Sequence, residues 1–282
     1  MPPFRFDVDT AGRLTDGRTV AVRLSPTWNV DGRILNGGYL QAVVVRAAQQ
    51  ALRAGAPPVL TEDAVPIAVS SSFAAPAAPG DATVAVDVAR AGGRITSASA
   101  TLRQGSEVIV NSLITFGGGD VTGGYDAAAA RTASYPVMPT VTGAADSIRV
   151  PTQMLPGPPG LADLIDYGFV PEDSAWLTGD TSAGPRIRCW LSFADGRPVD
   201  VLAAIAFVDM APPVCFANGD FGWAPTLQLQ VGLFARPAHG PMLLDLAGSP
   251  YDGRVVAEDG LLWDSAGTLI ARSRQIALAP RR

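Results

Sequence analysis

The segments "SSFAAPAAPGDATVAVDVARAGGR" (residues 71–94) and "VGLFARPAHGPMLLDLAGSPYDGR" (231–254) are two versions of one pattern. Phe73 and Phe234 stand 161 residues apart, Pro76 and Pro237 also 161, Gly80 and Gly240 160. Downstream, "LRQGSEVIVNSLITF" (102–116) matches "LWDSAGTLIARSRQIAL" (262–278), with Gly105 and Gly267 offset by 162. A near-constant offset through successive elements is the mark of an internal duplication. The 282 residues therefore divide into two units of similar size.

Each unit shows the same order of elements. A leading strand or hairpin comes first, in "FRFDVDTAGRLTDGRTVAVRL" and in "IRCWLSFADG". A helix follows, from Gly37 to about Arg53 in the first unit and from Pro198 to about Met210 in the second. Four runs of period-2 alternation then lie between Pro, Gly and Asp turns, at 65–74, 83–90, 94–103 and 107–116, repeated at 226–234, 241–247, 253–263 and 268–278. A helix that is apolar on most sides must be covered on most sides, and a strongly curved antiparallel sheet can do so. The expected fold is α+β, a double hotdog: two tandem repeats, each a central helix wrapped by a curved antiparallel sheet. The divisions are residues 1–117, a Gly/Ala/Thr/Pro-rich linker at 118–147, and 148–282. An irregular insertion at 151–176 carries a short helix near Leu161 to Tyr167 and has no role assignable from sequence.

Composition narrows the chemistry. Hydrophobic residues make up 48% and charged residues 17%, enough apolar material for a sizeable core. All 21 basic residues are arginine, dispersed singly, and the net charge is −5, which argues against a nucleic-acid partner. Without lysine there is no Schiff base and no P-loop phosphate ligand. The single histidine, His239, and the distant Cys189 and Cys215 supply neither a metal site nor a disulfide framework. The start "MPPFRFDVDT" lacks a basic segment followed by an apolar one, and no run approaches 18 apolar residues. The chain reads as cytoplasmic, with no membrane span and no cofactor. Its catalytic means would be carboxylate, hydroxyl, amide and backbone groups.

A duplicated fold is its own control, because scaffold positions should match while a site present once should not. Three differences bear on a site. Asp209 closes the second helix in "AFVDMAPP", before Pro212 and Pro213, where the helix dipole disfavours an anion by a few tenths to about 1 kcal/mol. Its counterpart at an offset of 161 is Ala48. Gln275 shares a strand face with Leu269 and Ala271, while its counterpart at 162 is Leu113. Buried without a partner, its amide would cost about 1–3 kcal/mol, so a partner is expected. Thr226 stands where the first unit has Val65; strict alternation puts it on the face of Gln228 and Gln230, opposite Leu227 and Leu229, so its direction turns on geometry at the strand end. The competing readings are a solvated helix-end carboxylate, an amide satisfied by backbone and an ordinary β-branched strand residue.

With "AFVDM", "WAPTLQLQV" and "GLLWDSAGTLIARSRQIAL" in the second unit and "NGGYLQAVVVRAA" in the first, the chain resembles the thioesterase-like superfamily of acyl-CoA thioesterase II type. The resemblance spans nearly everything outside the linker and the insertion. It implies hydrolysis of fatty acyl-CoA to fatty acid and CoA, with Asp209, Thr226 and Gln275 holding and activating a water. It also implies assembly into a homodimer or larger homo-oligomer. A carboxylate can serve as general base while hydroxyl and amide orient the water. In "NGGY", Asn36 suits a helix N-cap, and the N–H groups around Gly38 and Tyr39 are candidates to polarise the thioester carbonyl, worth roughly 2.7–4 kcal/mol per good donor. Tight packing is the alternative reason for the two glycines. The hydratase branch of the hotdog fold uses an Asp/His pair, for which His239 in its turn offers no second histidine. A non-catalytic protein that binds acyl chains or acyl-CoA is the other function class left open, since fold alone does not decide function.

Overall fold

The alternating segments pair into one antiparallel sheet, seen in a computed structural model that describes residues 3–30, 32–55, 58–118, 136–150, 160–249 and 254–280. The first half supplies β1 (Gly12–Asp16), β2 (Thr19–Leu24), β3 (Val65–Phe73), β4 (Gly80–Arg90), β5 (Ile95–Gln104) and β6 (Glu107–Gly117). The second supplies β7 (Ile165–Phe169), β8 (Arg186–Phe193), β9 (Thr226–Leu233), β10 (Met242–Gly248), β11 (Val255–Trp263) and β12 (Leu269–Leu278). Their order is β1-β2-β4-β5-β6-β3-β9-β12-β11-β10-β8-β7. Exchanging each strand for its counterpart and reading backwards returns the same order. The duplication is thus built into the sheet, whose seam is the β3–β9 pair from Ala68↔Gly232 to Ser72↔Gln228. This is the double hotdog that the sequence pattern implied.

The helices fill the inner face. Helix α1 (Arg5–Asp9) precedes the first hairpin, and α2 (Gly37–Ala54) starts at Asn36, whose side chain accepts from Tyr39 N. Helix α2 is buried on nearly all sides, from Gly38 to Leu52, because the sheet and a second-half helix both pack on it. That accounts for "YLQAVVVRAA", which is too apolar for a helix with a wet face. After α3 (Leu161–Leu164) comes α4 (Val201–Phe207), capped by Asp200 through Ala203 N. Helix α4 is shorter than the expected Pro198–Met210. Asp200, not Pro198, begins it, and after Phe207 the chain tightens into a turn in which Asp209 N bonds to Ala206 O and Met210 N to Phe207 O.

Residues 160–176 of the insertion take a defined form. The helix expected to reach Tyr167 stops at Leu164, and Ile165–Phe169 is strand, paired with β8 as β1 is paired with β2. Residues 165–169 are therefore the second unit's own edge strand. Of the interdomain linker, 136–147 lies against the outer face of the second half, where Met138, Val141 and Ala144 pack on Val170, Trp190, Leu243 and Trp263, and Trp190 Nε1 donates to Thr142 O. Residues 119–135 of the linker and 151–159 of the insertion lie outside the described residues. Among the described residues, no helix is long and apolar enough to cross a membrane.

Candidate active site

The tight turn after α4 carries the Asp209 carboxylate to the N-terminus of α2. Gly38 N donates to Asp209 Oδ2 at 2.7 Å. Asn36 joins the two halves: its Oδ1 caps Tyr39 N at 2.9 Å, while its Nδ2 donates to Asp209 O at 2.7 Å and to Oδ2 at 3.3 Å. The carboxylate lies at the negative end of its own helix but at the positive end of the other, where an anion is favoured. Contact this close requires glycine. A Cβ on Gly38 would stand 2.3 Å from the Ala206 carbonyl oxygen, and one on Gly37 would stand 2.8 Å from Asp209 Oδ2. The paired glycines let α2 meet α4 end on.

Strands β9 and β12 close the cluster. Gln275 is buried, and its Nε2 donates to Thr226 Oγ1 at 2.7 Å. The orientation of Thr226, ambiguous by alternation, follows from a β-bulge: Ile276 pairs with Gln228 but Ala277 with Thr226, leaving Leu227 unpaired. One extra residue restores the parity between Thr226 and the inward-facing Leu229. Gln275 and Thr226 come close enough to Asp209 to draw its pKa down, as does the Gly38 N–H, but burial outweighs all three and pushes the pKa up to about 6. Asp209 as a residue is only half-buried by surface, although protein surrounds its carboxylate.

The repeat correspondence shifts when read from hydrogen bonding. Ala74 N donates to Ile109 O just past β3, and Phe234 N to Ile270 O just past β9, giving offsets of 160 and 161. The first half has a matching bulge at Ile67, between Pro66↔Phe116 and Ala68↔Thr115. Thr226 therefore corresponds to Pro66 rather than Val65, and Gln275 to Ile114 rather than Leu113. Leu113 is 67% exposed and faces away from the core, whereas Ile114 is buried. Aligning the caps Asn36 and Asp200 places Asp209 opposite Val45 rather than Ala48. All three counterparts are apolar, so the polar cluster occurs in one half only.

The expected use of Gly38 and Tyr39 as free donors does not match the structure, because Gly38 N is held by Asp209 and Tyr39 N by Asn36. Leu40 N bonds to Asn36 O. That leaves Gly37 N–H, half-buried beside Asp209, as the donor of the first turn with no partner among the described residues. Sequence reasoning missed the link from Asn36 to Asp209. It also passed over Glu258, a buried acid on β11 that accepts from Val214 N at 2.8 Å. Alternation in "VVAEDGLLW" already put Glu258 in line with Val256 and Leu262, on the buried face. Tyr167, on the edge strand of the insertion, supports the turn by donating from its hydroxyl to Met210 O at 2.7 Å. Cys189 and Cys215 are buried free thiols, and His239 is exposed. Among the described residues no three His, Cys, Asp or Glu side chains form a metal-ligand set. A depression of about 260 Å³ between Arg5, Trp28, Asp163 and Asp195 shares no residue with the cluster.

Comparison with known proteins gives a consistent picture. Residues 24–117 match the acyl-CoA thioesterase N-terminal domain, and residues 129–279 match the acyl-CoA thioesterase C-terminal domain. An uncharacterised protein of Mycobacterium tuberculosis is 28% identical over 270 residues, covering 91% of this chain and 89% of that protein. A crystal structure from Thermobifida fusca, whose thioesterase II assignment is itself provisional, superposes with a TM-score of 0.85 at 26% identity, covering 100% and 99% of the two chains. A hot dog fold protein of unknown function from Alicyclobacillus acidocaldarius superposes at 0.83 with 20% identity, covering 99% of each.

Proposed function

The chain belongs to the acyl-CoA thioesterase family, and on that premise we propose that it hydrolyses acyl-CoA thioesters to free fatty acid and CoA with a water activated by Asp209, Thr226 and Gln275. One observation carries the reading. Three polar side chains from the turn after α4, from β9 and from β12 converge, at positions where the other half has Val45, Pro66 and Ile114.

The geometry divides the work. Oδ2 of Asp209 is committed to Gly38 and Asn36, leaving Oδ1 for the water. With Gln275 Nε2 donating to its oxygen, the Thr226 hydroxyl keeps its own proton to donate towards carboxylate or water. Water oxygen attacks the thioester carbon as its proton passes to Asp209; the C–S bond then breaks and the proton leaves with the thiol. A pKa near 6 makes Asp209 a stronger base than a solvated aspartate while leaving most of it ionised at pH 7. The carbonyl oxygen is assigned to Gly37 N–H at the positive end of α2, in place of Gly38 and Tyr39.

Release of free thiol from a panel of acyl-CoAs of graded chain length, with an acyl-carrier-protein thioester alongside, tests the reading. Wild type should release thiol and Asp209→Asn should not. Binding without release, or release indifferent to the substitution, refutes it.

A further inference from the structure

Glu258 has no part in the scheme above, yet it occupies a costly position. It is 4% exposed on β11, and a buried carboxylate without a cationic partner is strongly disfavoured. The sheet pairs it directly with Gln275, and both side chains face inward. Directly paired residues on one face have Cβ atoms about 4.5–5.5 Å apart, within reach of a hydrogen bond between two long side chains. One carboxyl oxygen of Glu258 accepts from Val214 N. Gln275 turns its amide nitrogen towards β9, where Thr226 accepts it, so its Oε1 points elsewhere. β12 lies between β9 and β11, so the Glu258 carboxyl stands on the side opposite Thr226.

We propose that Glu258 is a positioning residue that works as the neutral acid: the hydroxyl of its protonated carboxyl donates a hydrogen bond to Gln275 Oε1 and thereby fixes the amide with its nitrogen towards Thr226 and the water. This rests on the hydrolytic reading above. A free glutamine amide can rotate by half a turn, presenting oxygen to the Thr226 oxygen and misaligning the hydroxyl. A donor on the other side removes that alternative, and an ionised Glu258, an acceptor only, would favour it.

The surroundings of Glu258 favour the neutral form. Towards it face the Cys215 thiol, itself pushed up by burial, and the carboxylate of Asp209. β10 presents Gly248 opposite it, and β12 presents Gln275. Burial and then the charge of Asp209 raise its pKa to about 7, against the opposing Val214 N–H. Asp209 near 6 ionises first, and its charge holds the proton on Glu258. The active form has Asp209 charged and Glu258 neutral.

Two variants and two readouts test this. The pH profile of kcat should rise through about 6 as Asp209 ionises and fall above about 7 as Glu258 does. Glu258→Gln keeps an acceptor for Val214 N and a permanent donor for Gln275. It should retain kcat within about threefold and lose the descending limb. Glu258→Leu should lower kcat about 10–100-fold with KM little changed. A descending limb unchanged in Glu258→Gln, or full kcat in Glu258→Leu, overturns the proposal. The second readout needs no turnover. The side-chain amide resonances of Gln275, followed from pH 5 to 9, should move in two steps, the upper one absent from Glu258→Gln. An upper step that survives, or is missing from wild type, overturns the proposal even if no acyl-CoA is hydrolysed, an outcome that would sink the proposed function separately.

Discussion

Gly38→Ala tests the join between the two halves. Its Cβ would meet the Ala206 carbonyl oxygen at 2.3 Å, where real contacts do not fall below 3.0 Å, so the backbones must part by at least about 0.7 Å. Neither partner can evade by rotating a side chain: one is helix α2 and the other the last turn of α4. The Gly38 N to Asp209 Oδ2 bond, 2.7 Å at present, lengthens by a similar amount to about 3.4 Å, where little of a charge-assisted bond survives. Three effects follow with known signs. Misplacing the base by nearly 1 Å should lower kcat by up to about 10²-fold. Because Gly38 N–H lowers the pKa of Asp209, its loss moves the acidic limb of kcat/KM above the present value of about 6. Overpacking costs about 1–3 kcal/mol, offset by up to about 1 kcal/mol from replacing glycine in a helix. Thiol-release kinetics from pH 5 to 8 and a urea melt measure all three. Wild-type kcat with an unmoved limb would show that the helix-to-carboxylate contact does not govern the chemistry.

Asp209→Asn should abolish turnover, by about 10²–10⁴-fold, and at the same time stabilise the protein. The pKa of Asp209 is raised from 3.8 unfolded to about 6 folded, so the folded state holds the proton more tightly; stability falls as pH rises between those values and stays low above. Removing the charge should recover up to about 3 kcal/mol at pH 7 and close to nothing at pH 3.5, seen as a Tm difference that shrinks on acidification. Thr226→Val keeps the shape but leaves Gln275 Nε2 without its acceptor, a cost of about 1–3 kcal/mol in folding stability that a urea melt reads, and kcat should fall with the loss of the hydroxyl that orients the water. Gly37→Ala meets only the end of the Asp209 side chain, at 2.8 Å, and the Phe73 ring at 3.3 Å, so its loss of kcat should be smaller than that of Gly38→Ala.

Much of the fold was legible in the sequence because its signals are periodic. Eight alternating runs and one long apolar helix appear within a few residues of their expected places, and the duplication shows in the palindromic strand order. What alternation could not supply was registration. A bulge adds a residue without a composition signal, so Leu227 reads as an ordinary strand position and Thr226 as facing the wrong way. For the same reason, identity-based offsets mapped Gln275 onto outward-facing Leu113 instead of Ile114. The helix boundary failed differently, since "RPVDVLAAIAFVDM" is apolar throughout and only the cap geometry of Asp200 reveals the start. Residues 165–169 were hidden by their surroundings: five residues in an irregular insertion become a strand because β8 offers an edge. Asp209, Thr226 and Gln275 stand out in the sequence because each is polar where the other half is apolar. Asn36 reads from the sequence as a cap, and no pattern there signals its second bond, to Asp209 O.

The early end of α4 is what allows the site to form between the halves. In a continuing α-helix Asp209 N would bond to Ile205 O, and the carboxylate would stay on the helix surface. Here it bonds to Ala206 O, one residue nearer, and the tighter winding turns the side chain about 20° further per residue. Pro212 and Pro213 prevent the helix from resuming. The carboxylate, although at the unfavourable end of a seven-residue helix, thereby reaches the favourable end of an eighteen-residue one. At the two-fold related position the first-half helix does not stop, Val45 lies in its middle, and no carboxylate could make the same crossing. One half keeps a long helix and contributes its N-terminus; the other gives up helix length and contributes the acid. Desolvation at that junction still exceeds the help from Gly38, Gln275 and Thr226, as the raised pKa requires, and a base held above its solution strength is what the proposed activation of water by Asp209 needs.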